Sequence, residues 1–263
     1  MRVYLTAARL SLRRYLTYRS SAVAGIATNT VFGFIRAFVL VALWKEKPEI
    51  NGWGVSDAVT YAFMTQGLIT PMGIFMAGTE LGPRIRTGDV AIDLYRPVDF
   101  QAWWFSLDLG RALGGGILRS LPPVLIGMLF FPVRLPADPL RWLAFAVCCG
   151  LGYLVSFALR YATSLLTFWT MDERGVASIM TTAGMFCSGM IIPLTIMPGL
   201  LGSIIQHTPW AAVVQIPINV LLGTQSGGLG YALAFAGAWA FGLLAIGRVL
   251  TSAARRKVVV QGG

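Results

Sequence analysis

GVASIMTTAGMFCSGMIIPLTIMPGLLGSIIQHTPW, residues Gly175–Trp210, opens a segment without a fixed charge that lasts 73 residues, from Gly175 to Gly247. The chain's single histidine, His207, lies within it. No water-facing surface is built from such a run, because soluble domains carry roughly 25% charged residues. The run is also too long for one crossing, which takes about 20 apolar residues. Pro193, Pro198, Pro209 and Pro217 break it, each removing an N–H and clashing with the preceding turn. The pieces between them are too short to cross. The reading is a span over 175–197, an outer re-entrant region over 198–223, and a last span over 229–247. In the re-entrant region short apolar helices dip into the outer leaflet, shielded by protein.

Working outward, the whole chain of 263 residues is 56% hydrophobic and 12% charged, with mean hydropathy +0.69. That balance excludes a soluble globular enzyme. Three cysteines (Cys148, Cys149, Cys187) sit inside apolar runs and read as small buried thiols; with one histidine they exclude most zinc sites and a disulfide framework. Four further spans are expected over 21–44, 58–78, 112–131 and 141–163. The predicted fold class is therefore an all-α polytopic membrane protein with six transmembrane helices in a single domain over 21–250. An interfacial helix (1–20) precedes it and a basic tail (251–263) follows. The first apolar run is too long for the core of a signal peptide and no small-residue cleavage site follows it, so it reads as a retained span.

Basic residues orient the spans. With the N-terminus in the cytoplasm, the inner segments hold Arg2, Arg9, Arg13, Arg14, Arg19, Arg84, Arg86, Arg96, Arg174, Arg248, Arg255, Arg256 and Lys257. The outer loops hold only Lys45, Lys47, Arg134 and Arg141. This split fits an even number of spans with both termini cytoplasmic, and it accounts for the net charge of +10 through orientation and anionic lipid. No basic face is interleaved with base-stacking aromatics, so nucleic acid is not an expected partner.

Two segments lie outside the spans. At 100° per residue Arg2, Arg9 and Arg13 share one side of a helix, with Tyr4, Tyr15 and Tyr18 opposite, a pattern suited to the inner membrane interface. The inner loop 79–100 contains ELGPRIRTGDVAIDLYRPVD (Glu80–Asp99), the one sizeable polar island. It mixes Glu80, Asp89, Asp93 and Asp99 with Arg84, Arg86 and Arg96 around apolar Ile85, Val90, Ile92 and Leu94. Such a mixture neither repels itself nor spans lipid, and it suits a short helix that docks on another soluble surface. Phe100–Gly110, with Trp103, Trp104 and Asp108, reads as an amphipathic lead-in to the third span.

This layout resembles the permease subunits of the ABC-2 type family of ABC transporters, in particular the compact six-span bacterial permeases. Three stretches carry the likeness. The first is the inner loop, with Gly88 and then Leu94, Arg96 and Pro97. The second is the charge group Asp172–Glu173–Arg174. The third is the series Ser188-Gly189, Ile192-Pro193, Met197-Pro198-Gly199, Pro209-Trp210 and Gln215-Ile216-Pro217 to Leu222-Gly223. The resemblance implies an exporter in the bacterial inner membrane. In it the inner loop (Glu80, Arg84, Arg86, Gly88, Asp89, Asp93, Arg96) and the N-terminal helix (Arg2, Arg9, Arg13, Tyr15) contact a nucleotide-binding subunit. It further implies two copies of that ATP-binding cassette subunit, and a second permease, identical or paralogous. The sequence has no G-x-x-x-x-G-K-[ST] phosphate loop, and its three lysines (45, 47, 257) do not follow glycine. Hence this chain is expected not to be the enzyme: ATP and Mg belong to the partner, and no cofactor, metal or catalytic residue is expected here.

Arg36 is the one charge deep in the first span, at roughly 2.5–3.5 kcal/mol if central, and reads either as a path residue or as a snorkelling or carbonyl-paired one. Arg111, Arg119 and Arg160 lie toward cytoplasmic ends, where snorkelling to phosphate is expected. Met64, Met72, Met185 and Met190 are candidates for an adaptable apolar path, or for ordinary packing. The competing functions are an ion-coupled secondary transporter, disfavoured because no carboxylate lies at a span centre, and a non-transporting scaffold. His207 reads as a polar cap of a short outer helix.

Overall fold

The computed structural model describes residues 1–257 except 18, 47, 48, 77 and 173; the side chains of Arg19 and Ser21 also fall outside the description. Tyr18, Lys47, Glu173 and the tail end 258–263, all used in the sequence reading, thus lie outside the described residues. The described chain is helical, with one isolated bridge between Ile50 and Trp53. Helix α1 (Arg2–Thr17) is followed by α2 (Arg19–Glu46) and α3 (Val55–Met72). Two short helices come next, α4 (Leu81–Thr87) and α5 (Val90–Tyr95), and then α6 (Phe100–Gly115). A π-turn (Gly116–Ser120) joins α6 to α7 (Leu121–Phe130). Beyond it lie α8 (Pro139–Thr170), α9 (Arg174–Cys187), α10 (Gly199–Gln206), α11 (Gln215–Leu222) and α12 (Gly228–Arg255).

Among the described residues, four helices are long and apolar enough to cross a bilayer: Ala22–Glu46, Phe100–Phe130, Pro139–Thr170 and Gly228–Arg255. The third expected span begins at Phe100 rather than 112, because Asp99 caps its N-terminus, accepting from the Ala102 N–H at 2.7 Å. The expected lead-in is thus the first turns of the same rod. The second and fifth expected spans fall on shorter helices. At 1.5 Å per residue α3 is about 27 Å long and α9 about 21 Å. The fifth stops at Cys187, short of 197, because Gly189 turns the chain at φ 83°, with a Cβ there 2.5 Å from both Gln215 Oε1 and the Tyr61 hydroxyl.

α3 is the hub. Most of its residues are buried, among them Asp57, Thr60, Tyr61, Phe63 and Gln66. Small residues on the 100–130 rod let it approach: a Cβ on Gly127 would lie 2.3 Å from the Phe63 ring, and one on Gly115 2.5 Å from Thr70. Phe34 of α2 completes the contact, its ring 5.7 Å from Phe63 and 5.4 Å from Phe130. α12 presents Ala232, Ala236, Ala240, Gly247, Thr251 and Ala254 as a buried stripe against α8, where Tyr161 shares a 2.7 Å hydrogen bond with Thr251. Small side chains of this kind bring apolar helices close enough for van der Waals packing to hold them.

The π-turn stands directly before two prolines. Leu121 N–H bonds Gly116 O five residues back, just ahead of Pro122 and Pro123, which have no N–H to offer the Leu118 and Arg119 carbonyls one turn back. The Arg119 carbonyl accepts from Asn29 Nδ2 of α2 at 3.5 Å.

α8 serves as a ruler. Near its start, Arg141 packs against Gly223 and Gly152 against Ala212. Near its finish, Ser164 accepts from the Thr79 N–H at 2.8 Å. The proline-rich segment and the α4–α5 hairpin therefore occupy opposite ends of the bundle.

Candidate functional site

At the hairpin end, four features meet: α1, the α4–α5 hairpin, the start of α6 and the C-terminus of α3. The hairpin is held from within. Arg84 Nε donates to Asp93 Oδ2 at 2.7 Å and its Nη2 to the Asp89 carbonyl at 3.2 Å. Arg96 pairs with the other Asp93 oxygen at 3.5 Å and stacks its guanidinium 4.7 Å from the Trp103 ring of α6. Thr87 donates to Asp89 Oδ2 across the turn at Gly88. Leu81, Ile85 and Val90 are buried beneath. What points outward is Arg86, with Ile92 60% and Tyr95 79% exposed. The sequence reading takes the island as one short helix; the structure splits it in two, and its charges mostly bind one another. Arg84, Asp93 and Arg96 are internal ties, and Arg86 is the cation left on the surface of the hairpin proper.

Glu80 does something different. It sits just before α4 and takes both Nη groups of Arg14, one at 3.2 Å, and the Tyr15 hydroxyl at 3.3 Å. The hydrogen bond with Glu80 raises the Arg14 pKa, and burial, then Glu80, raises that of Tyr15. α1 itself runs parallel to α6. Tyr4 OH accepts from the Asp99 N–H at 2.9 Å, Ser11 donates to the Leu107 carbonyl at 2.6 Å, and Ala7 and Ser11 are buried in the seam. Arg2, Arg9 and Arg13 are exposed, as the helical pattern requires, together with Val3, Leu5 and Leu10. Tyr4 and Tyr15 are tied to α6 and Glu80 instead of standing free on the opposite side.

Next to this clasp lies a buried charge knot. Asp108 is 7% exposed and Arg111 and Arg160 each 5%. Arg160 bonds both Asp108 oxygens, at 2.9 and 2.7 Å; Arg111 reaches them at 2.7 and 3.2 Å, and the Tyr153 hydroxyl donates to Oδ2 at 2.9 Å. Arg111 also donates to the Thr70 and Pro71 carbonyls, at 2.8 and 3.2 Å, and Ser156 to that of Met72. These are the last carbonyls of α3, which a helix leaves unpaired and which carry the negative end of its dipole. The chain then turns at Gly73 (φ 62°), where a Cβ would lie 3.0 Å from Arg160 Nε. Arg111 and Arg160 are therefore not snorkelling to phosphate, as expected; a fixed carboxylate and a helix end hold them inside.

The remaining candidates scatter. Arg36 is partly buried and donates from Nη2 to the Ile191 carbonyl at 3.3 Å, a partner far away in the sequence. Met64, Met72 and Met190 belong to the main core, with Met185 packed against it. Met76 and Met180, by contrast, line a cavity between α3, α8 and α9.

At the opposite end Pro193 precedes a 3-10 turn (Leu194–Ile196), Pro198 caps α10, Pro209 opens a second 3-10 turn (Pro209–Ala212) and Pro217 sits in the first turn of α11. Gln215 organises them. Its Oε1 accepts from Tyr61 OH at 2.7 Å and the Leu194 N–H at 2.8 Å, while Nε2 donates to Asn219 Oδ1 at 2.7 Å. His207 ends α10 with Nδ1 2.7 Å from the Ser203 carbonyl, the capping role expected of it.

No curated protein matches the chain. A family model described as ABC-2 family transporter protein matches residues 30–262, from the middle of α2 through the tail. That match covers most of the chain and includes the hairpin, the knot and the proline-rich end, so the chain belongs to the ABC-2 family of transporter membrane proteins.

Proposed function

We propose that the chain is the permease subunit of an ABC exporter in the bacterial inner membrane, with six spans and both termini cytoplasmic. ABC-2 family permeases generally work with an ATPase subunit. Here two ATP-binding cassette subunits, which bind ATP and Mg, would sit below two permeases, the second identical or paralogous, each supplying half of the path. α3 and α9 would be the second and fifth spans, and 198–223 would re-enter the outer leaflet. Membrane lipid is the other partner, met by α1 (Arg2, Arg9, Arg13) and the apolar faces of the long helices.

The observation that carries this reading is the construction of the α4–α5 hairpin. Its charges are spent on internal ties, which make it rigid, while Arg86, Ile92 and Tyr95 face outward. It is also bound to the bundle at three points: Glu80 to α1, Thr79 to α8, and Arg96 to Trp103 of α6. A push on such a lever moves α1, α6 and α8 together. Among the site candidates, Arg86 and Tyr95 would meet the ATPase, Gly88 and Asp89 would shape the tip, and Glu80, Arg84, Asp93 and Arg96 would transmit. Met64, Met72, Met185, Met190 and Arg36 would reach the path only through repacking of the spans.

The test is affinity capture of the full chain from native membranes in mild detergent, with mass spectrometry of what accompanies it. An ATP-binding subunit in stoichiometric amount is expected, and a second permease in equal amount would settle heterodimer against homodimer. A chain that comes alone, with ATP present, refutes the reading.

A further inference from the structure

A cavity of about 210 Å³ lies at the proline-rich end, between the 3-10 turn Leu194–Ile196, the end of α10, α11 and the start of α12. Thr195, Gln206, His207, Asn219 and Tyr231 stand on its wall, and no Asp, Glu, Lys or Arg does among the described residues.

One backbone N–H fixes which way the polar groups face. Leu194 N–H can only donate, so the Gln215 atom that it meets is the oxygen, Oε1. The Gln215 nitrogen therefore turns to Asn219, four residues on along α11, and donates to its Oδ1 at 2.7 Å. Asn219 is 7% exposed, and its Nδ2, with two protons to give, has no partner among the described residues. His207 is oriented in the same manner. Its Nδ1 faces the Ser203 carbonyl, so in the neutral ring Nδ1 carries the proton and Nε2 is left as an acceptor. Gln206 gives Nε2 to the Leu194 carbonyl at 2.9 Å and keeps Oε1, and Thr195 Oγ1 is buried with no partner among the described residues. Donors and acceptors thus stand side by side without a fixed charge, and buried polar groups left unpaired are costly. Tyr231, 45% exposed, is held by the Phe235 ring at 6.0 Å and by Gly227, where a Cβ would lie 3.0 Å from its Cγ.

We propose that this cavity binds one neutral sugar ring, whose hydroxyls both give and take hydrogen bonds. Asn219 Nδ2 would donate to a ring hydroxyl, His207 Nε2 and Gln206 Oε1 would accept from others, and the Tyr231 ring would take the C–H face. Gln215, on the same wall, also holds Tyr61 of the hub helix α3, so occupancy would bear on the joint between α3 and the proline-rich end. In the orientation proposed above this end faces outward; that placement rests on the exporter reading, and the binding does not.

The experiment uses the full chain in phospholipid nanodiscs, because a sugar-headed detergent would compete for the site. Saturation-transfer NMR, corrected with empty nanodiscs, compares methyl glucoside, glucuronate and glycerol. Methyl glucoside is expected to bind with a Kd of about 1 mM, about tenfold more tightly than the anion or the smaller polyol. Asn219→Asp still accepts from Gln215 but puts a carboxylate oxygen where the donor was, and should weaken binding about tenfold. Tyr231→Ala should weaken it as well, while the exposed Arg248→Gln should not. Octyl glucoside, kept below its micelle-forming concentration, separates the sources: tighter binding than methyl glucoside assigns the site to a glycolipid head, and binding no tighter assigns it to a free sugar. Glycerol binding as well as methyl glucoside would mean a water-filled cavity only and overturns the proposal, as does the absence of a methyl glucoside signal or indifference to both cavity variants. Should a variant fail to fold, the preference of the unmodified chain decides. Binding needs no ATPase in the sample, so its failure is distinct from failure of the exporter reading.

Discussion

Arg160 of α8 holds Asp108 of α6 in a fork, Nη1 to one oxygen at 2.9 Å and Nη2 to the other at 2.7 Å, across 52 residues of sequence. Paired, bidentate geometry is what makes an ion pair durable where water is scarce. Arg111 extends the fork to the C-terminus of α3, so that one carboxylate fastens three helices.

Asp108→Asn removes the charge and keeps the shape. Two arginines are then buried without a counter-ion, and the expected cost is about 3–5 kcal/mol. Heating the detergent-solubilised variant and following its elution as a monodisperse species measures this. Asp108→Asn combined with Arg160→Gln should recover part of the loss, and an Asp108→Asn variant as stable as the unmodified chain would contradict the role given to the knot.

Gly110 is where α1 touches α6 most closely. A Cβ there would lie 2.2 Å from the Ala8 carbonyl and 2.7 Å from the Leu12 nitrogen, backbone atoms that cannot swing aside. Gly110→Ala should lift α1 off the bundle and open it to limited proteolysis. Gly242→Ala, whose Cβ meets nothing within 4 Å, serves as the control. Equal protease sensitivity in both would show that the seam tolerates separation.

At the far end, Gln215→Leu leaves the Leu194 N–H without its acceptor and Asn219 without its donor. Each buried orphan costs about 1–3 kcal/mol. Faster cleavage between 188 and 223 is expected, while Ser203→Ala, at an exposed position, should leave cleavage unchanged.

The hairpin separates two arginines by role. Arg84→Glu sets a carboxylate beside Asp93 and should unseat the hairpin, lowering thermal stability and recovery of the ATPase together. Arg86→Glu should lower recovery of the ATPase alone. Matching stability losses would mean that Arg86, too, is a structural tie.

Much of this was legible in the sequence, and for physical reasons. Proline spacing alone cuts 193–217 into pieces too short to cross, and the short helices stand where those cuts fall. His207 follows as a helix end. Composition marks α2, α8 and α12 as lipid-length helices. Periodicity puts Arg2, Arg9 and Arg13 on one exposed face. Other features depend on what lies across the fold. The expected span 58–78 reads as uncharged, yet it falls on α3, where Asp57 just before it and Tyr61 and Gln66 within it are buried in protein, which no local pattern states. Asp108, Arg111 and Arg160 each look like an interfacial charge when taken singly, and their partnership exists only once α8 returns beside α6. The start of α6 at Phe100 carried a readable signal in the Asp99 cap. So did the seam of Ala7, Ser11, Gly110 and Gly114, small residues at near-helical spacing that announce close packing.

The claim that the hairpin is the lever of this permease is tested most directly by placing a photo-crosslinking residue at Tyr95. The control is the same residue at Phe241, an exposed apolar position on α12. Irradiated in native membranes, the Tyr95 position should join the chain to an ATP-binding subunit, and the Phe241 position should not. No such product from Tyr95, or equal yield from the two positions, would contradict the account.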